Sequence, residues 1–181
     1  MRKTKDILIF VFTLIVISAL AYGIYLFFYI QKRYEESPTE LKSIYTESRY
    51  LSGFSNNTLK LRTEYMLIKT VRDSIIIYDY RSVTDSTRNL KISYLTKSQK
   101  LKFNLSDYKK YETKTFQSNK NSEIWFDKYE MKEPIIDGMS SILFNQEYGI
   151  LAIANLLGPS AFFMDKPNDS LQVRKIIEKL Y

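Results

Sequence analysis

The chain has 181 residues, with 27 Lys and Arg against 20 Asp and Glu, a formal net charge of +7, and neither Cys nor His. Without these two residue types the chain lacks disulfides, thiol nucleophiles, the usual ligands of zinc, haem and iron–sulfur clusters, and the usual general base of hydrolases. Its five glycines are too far apart to form a phosphate-binding loop, so no cofactor is predicted.

The first predicted element is a transmembrane helix at residues 7–30, a run of 24 residues without a charge. A helix of that length rises about 36 Å, enough to cross a hydrocarbon core of about 30 Å. Three basic residues precede the run and two follow it, which favours residues 1–6 as a cytoplasmic tail and the rest as extracytoplasmic. The alternative is a signal peptide that is cleaved after Ala21, so that the remainder is exported.

A short linker is predicted at residues 31–36, followed by one extracytoplasmic, mainly β domain at residues 37–181. Ser37, Pro38 and Glu40 have the spacing of a helix capping box, and apolar residues at 41, 44, 45 and 51 fall on one helical face. This pattern predicts a short helix at about 38–52, which Gly53 would end.

From Thr58 onwards apolar residues recur at every second position, in segments that are separated by short polar links. This pattern predicts an antiparallel meander of about six to eight strands with one packed face and one face in water. After Pro167 the period changes again, and Leu171, Ile176, Ile177 and Leu180 predict a C-terminal amphipathic helix. The predicted fold class is therefore mainly β, of the α+β type.

The stretch Tyr148–Met164 is unusual because 17 successive residues carry no charge. Gly158 and Pro159 break a helix near its centre, so a buried hairpin is favoured over a second membrane element, which remains the alternative. Leu156 and Leu157 fall at the turn of this hairpin. Because exposed apolar residues often mark contact sites, we predict that they contact a partner or lipid.

Few residues are suited to catalysis. Carboxylates are the only strong acids or bases left, and Asp79, Asp127 and Glu130 are the candidates for a pair of the kind that glycosidases use. The sequence Ser106–Lys109 has the S-x-x-K spacing of serine–lysine acyl transferases, but without the companion motifs it is interpreted as a polar loop. Acidic residues do not cluster as in a calcium site, so no metal is predicted.

These patterns predict a single-pass membrane protein whose β-rich domain is a binding or interaction module for a protein, an envelope component or a lipid. Two alternatives remain: a membrane-tethered hydrolase that uses carboxylates, and a lipid-handling half-barrel with an apolar groove on its concave face. Positive and negative charges are mixed along the sequence of the domain, without a run of like sign, so no nucleic-acid partner is expected.

Overall fold

A computed structural model describes residues 18, 20–26, 41–104, 106–118, 123–132, 139–166 and 170–181. The chain divides into two compact units, residues 1–39 and residues 40–181. In the first unit, residues 20–26 are helical. No helix in the described part of the chain is both long and apolar enough to cross a membrane. Most of the predicted span, the linker and the capping box lie outside the described residues.

The second unit is a closed barrel of ten antiparallel strands, each paired with the next, with the last strand paired to the first. The strands are β1 (Leu41–Ser55), β2 (Thr58–Arg72), β3 (Ile75–Ser82), β4 (Leu90–Leu95), β5 (Lys100–Phe103), β6 (Ser106–Gln117), β7 (Trp125–Met131), β8 (Met139–Asn145), β9 (Gly149–Asn155) and β10 (Ser160–Met164). A 3-10 helix at Ser86–Arg88 follows β3, and the C-terminal helix is Ser170–Leu180. The predicted mainly β, antiparallel architecture is confirmed, with more strands than the predicted six to eight.

The predicted helix at about 38–52 is wrong over its described part, because these residues belong to strand β1. β1 pairs with β2 across a two-residue turn at Asn56 and Asn57, whose φ angles are 49° and 56°. Asn tolerates this left-handed conformation, and such a turn matches the twist of two paired strands. Gly53 lies inside β1, where the strand also pairs with β10. Pairing with two neighbouring strands therefore outweighs the local helix pattern.

Aromatic side chains fill the inside of the barrel. Phe144 on β8 contacts three other rings, those of Tyr78, Tyr94 and Tyr129, at centroid distances of 5.3, 5.3 and 5.7 Å. Burial raises the pKa of Tyr78 and Tyr129 above the ordinary tyrosine value. The alternation predicted from the sequence therefore places one set of residues in a dense core and the other set on the outside.

A second core forms where the C-terminal helix covers the outer face of the barrel. Val173, Ile176 and Leu180 of the helix are buried against outward-facing apolar residues of the strands, among them Leu151 and Phe162. This contact explains why β9 is apolar on both faces, since one face meets the aromatic interior and the other meets the helix. The predicted amphipathic helix and the predicted hairpin of β9 and β10 are both confirmed.

A buried arginine joins three elements at the lower end of the barrel, defined here as the end where β1 begins. Arg49 of β1 forms an ion pair with Asp165, which follows β10, at 3.0 Å, and its guanidinium lies 4.1 Å from the ring centroid of Tyr148 in the β8–β9 turn. Glu47 provides a second carboxylate partner. The charge of this buried group is thus compensated, as its burial requires.

Candidate functional site

The candidate site is a groove of about 270 Å³ at the upper end of the barrel, where the β9–β10 turn lies. Strands β7 and β8, the β9–β10 turn and the end of the C-terminal helix form its walls. The groove is lined by Lys128, Glu130, Met131, Met139, Ser140, Ser141, Leu156, Leu180 and Tyr181. This mixture of apolar and polar lining residues is typical of sites that hold an apolar group and fix its orientation with a few polar contacts.

The β9–β10 turn is built by one asparagine side chain. The Asn155 side-chain oxygen accepts hydrogen bonds from the backbone N–H groups of Leu157 at 3.2 Å and Gly158 at 3.1 Å. Asparagine commonly organises turns in this way. With the backbone held by Asn155, the two leucines stay on the outside, and Leu156 and Leu157 are 55% and 73% exposed.

The end of the C-terminal helix is fixed to the same turn. The Tyr181 hydroxyl donates to the Asn155 carbonyl at 3.0 Å and lies 2.7 Å from the Ser160 hydroxyl. The buried Ser141 hydroxyl donates to the carbonyl of Leu180. These contacts join the helix end, β8 and the turn, so the groove is formed by elements that already hold one another.

The side chains of the groove suit binding better than chemistry. Met131 and Met139 are flexible and polarizable, so they can adapt to apolar groups of different shape. Lys128 and Glu130 point outward from the same strand, two residues apart, and present opposite charges beside the apolar lining residues. A volume of about 270 Å³ is slightly below the range of about 300–1,000 Å³ that holds small molecules, and it fits one or two side chains.

The two predicted contact residues differ in position. Leu156 lines the groove, whereas Leu157 is not among its lining residues and extends from the neighbouring position of the turn. Sequence reasoning missed the other members of the groove. The sequence pattern placed Leu180 on the apolar face of the C-terminal helix, but nothing in the sequence indicated that Met131 and Met139 lie beside it.

The candidate carboxylates do not form a pair. Asp79 on β3 forms an ion pair with Arg81 at 3.0 Å, and Asp127 on β7 forms one with Lys110 at 2.7 Å. Glu130 is three residues after Asp127 on the same strand, so the two side chains lie on opposite faces of the sheet. These three described carboxylates therefore do not form the facing pair that the hydrolase alternative needs.

The S-x-x-K sequence is part of a strand, so its interpretation as a polar loop is wrong. Ser106 and Lys109 both lie in β6, where a separation of three residues directs the two side chains to opposite faces. A lysine in that position cannot take a proton from the serine. The concave face, where a lipid-handling half-barrel would have its groove, is filled by the buried aromatic core.

No group of three or more His, Cys, Asp and Glu that could hold a metal ion occurs among the described residues. Comparison with known proteins gave no match: no family model fits the sequence, and neither a curated protein nor a solved structure matches the chain.

Proposed function

We propose that this protein is a membrane-tethered binding module whose groove holds an apolar side chain of a protein partner. The observation that carries the proposal is the position of Leu156, an exposed apolar residue that lines a groove together with other apolar side chains and two charged ones. Hot spots of protein interfaces are commonly apolar anchors that fill a pocket of this kind and are surrounded by polar contacts.

The proposed tether rests on the uncharged run at residues 7–30 and the basic residues before it. In this proposal the short tail is cytoplasmic and the barrel is extracytoplasmic. Leu157, 73% exposed beside the groove, adds apolar area next to the proposed anchor site. A small module at a membrane gains affinity from its restricted position, so a groove that holds one or two side chains is sufficient.

The test uses the full chain in its native membranes, with a photoreactive residue in place of Leu157. We expect one discrete crosslinked protein, and we expect Leu156→Ser in the same chain to lower the crosslinking yield about tenfold, which corresponds to about 1.4 kcal/mol. Because Leu156 is 55% exposed, Leu156→Ser should leave the melting temperature unchanged. A photoreactive residue in place of Val83, which is 65% exposed on another loop, is the matched control.

Two results would contradict the proposal. Crosslinking that is the same from positions 83 and 157, or that does not depend on Leu156, would show that the groove binds no specific partner. Release of the chain from membranes by an alkaline wash, with a new N-terminus at Tyr22, would show an exported protein without a tether.

A further inference from the structure

The outer face of β2–β5 carries an aliphatic row beside a row of lysines, and we call it the lysine–isoleucine face. It consists of Ile68, Ile75, Ile77, Leu95, Lys91, Lys100 and Lys102. These residues alternate along each strand with buried ones such as Tyr78, Ile92 and Leu101, and therefore point away from the barrel interior. The three lysines are exposed and the four aliphatic residues are half-buried.

The strand register brings the two rows together. Ile77 pairs with Ser93, and Ser93 pairs with Lys102, so an isoleucine and a lysine flank one small polar residue. In the next row Leu95 pairs with Lys100. Neighbouring strands are about 4.8 Å apart, so four strands span about 15 Å, which is narrow enough for a flat surface to contact.

The uncompensated positive charge of the face is at one lysine. Lys102 lies opposite Asp107 of β6, whereas Lys100 lies directly opposite Lys109, and like charges in this position repel each other unless an anion lies between them. The carboxylate of Asp79, which lies opposite Lys91, forms an ion pair with Arg81 at 3.0 Å. The face thus attracts anions beside its aliphatic row, and this combination is typical of surfaces that lie in the headgroup region of a membrane.

We propose that the lysine–isoleucine face rests on the anionic phospholipid surface of the membrane to which the chain is tethered. The proposal rests on the tether in the proposed function, and it concerns a surface and a ligand different from those of the groove. Only ten residues separate the end of the predicted span at Ile30 from β1, and fully extended they reach at most about 35 Å. The short tether supplies a high effective concentration, so weak contacts suffice.

The chemistry of the face favours lipid over nucleic acid. Faces that bind single-stranded nucleic acid combine basic residues with aromatic rings on which the bases stack. The seven residues of the lysine–isoleucine face include four aliphatic side chains and no aromatic one. Aliphatic side chains insert among acyl chains, and lysines with long apolar stems place their ammonium groups at the phosphates.

The test measures whether the face meets the bilayer. The chain has no cysteine, so Ser93→Cys in the full chain gives one site for an environment-sensitive fluorophore at the centre of the face. The protein is reconstituted into liposomes of phosphatidylcholine or of an equimolar mixture of phosphatidylcholine and phosphatidylglycerol. In the mixed liposomes alone, we expect a blue-shifted emission and loss of most of the quenching by acrylamide. High salt should reverse both effects.

Charge substitutions provide the matched control. Lys100→Glu with Lys102→Gln should restore acrylamide quenching in the mixed liposomes, and Glu at position 100 would lie opposite Lys109, which favours folding. Arg174→Gln with Lys175→Glu makes the same change in charge at exposed positions of the C-terminal helix and should have no effect. If the fluorophore responds equally in both lipid compositions, or equally to both pairs of substitutions, the proposal is overturned.

Two further outcomes would also overturn it. Protection of the fluorophore by a single-stranded oligonucleotide without liposomes, lost on changing Lys100 and Lys102, would assign the face to nucleic acid. Failure of the chain to enter liposomes would remove the tether on which the contact depends. Crosslinking from position 157 is measured separately, so the absence of lipid contact would not contradict the proposed binding of a protein partner in the groove.

Discussion

Gly149, the first residue of β9, is the position where a single methyl group should destabilise the barrel most clearly. Its φ is +90°, a conformation that residues with a side chain rarely adopt. A Cβ atom at this position would lie 2.5 Å from the hydroxyl oxygen of Tyr80 and 3.3 Å from Cδ1 of Tyr78. The Tyr80 side chain is buried and its hydroxyl accepts a hydrogen bond from the Ile150 N–H at 2.9 Å, so it cannot move away freely.

The expected cost of Gly149→Ala follows from these two effects. The left-handed backbone costs a residue with a Cβ about 1–2 kcal/mol, and overpacking of a core adds about 1–3 kcal/mol. The free energy of unfolding should therefore fall by about 2–5 kcal/mol, a large share of the roughly 5–15 kcal/mol that stabilises an ordinary domain. In a Tyr80→Phe background the closest contact is absent, and the same substitution should cost about 1 kcal/mol less.

Urea unfolding of a chain that begins at residue 34, followed by the fluorescence of Trp125, the single tryptophan, measures this cost. Gly53→Ala is the matched control, because its nearest neighbour is Arg62 Nε at 3.1 Å, on a flexible and exposed side chain. The control should lose less than about 1 kcal/mol. A loss at Gly149 no larger than that at Gly53 would refute the reasoning, since neither strain nor crowding would then be present.

Two other predictions concern pH and a strand irregularity. Burial raises the pKa of Tyr78, Tyr80 and Tyr129, so above pH 10 the unfolded chain releases these protons while the folded chain retains them. These groups should leave the free energy of unfolding unchanged below pH 10 and lower it above pH 10 by roughly 4 kcal/mol for each pH unit. Tyrosinate absorbance should then rise together with unfolding. Tyrosinate formation from all tyrosines before unfolding would contradict this prediction. Lys114 has a φ of 52° at a register shift in β6, and its N–H donates to Asp127 at 2.9 Å. Lys114→Gly should raise the free energy of unfolding by about 0.5–1 kcal/mol, whereas Lys109→Gly at a regular position should lower it; equal effects would show that the backbone at residue 114 is not strained.

Much of the secondary structure could be predicted from the sequence because period and turn chemistry are local properties. Alternation along β2 to β7 identified the strands, and Gly158 with Pro159 identified the turn of the last hairpin. The amphipathic pattern was sufficient to identify the C-terminal helix, because only one face of that helix packs against the barrel. The exposure of Leu156 could also be predicted from local sequence, because this residue lies at a turn within an otherwise apolar stretch.

The helix prediction for residues 38–52 failed because a strand can be stabilised by partners that are distant in sequence. β1 pairs with β2 next to it and with β10, more than a hundred residues later. No residue near Leu51 or Gly53 indicates that β1 also pairs with β10. Closure of the barrel has the same origin, because it depends on whether the first and last strands meet, and their meeting is a property of the whole sheet.

By itself, the sequence determined the absence of cysteine and histidine chemistry, the β-rich character of the domain and the exposure of its last hairpin turn, because these depend on composition and on neighbours along the chain. Only the tertiary structure decided that Leu156 shares a groove with Met131, Met139 and Leu180, and that Lys100 faces Lys109. Both arrangements depend on strand register and helix docking, which are set by the joint packing of the aromatic interior and the outer core and not by any single segment.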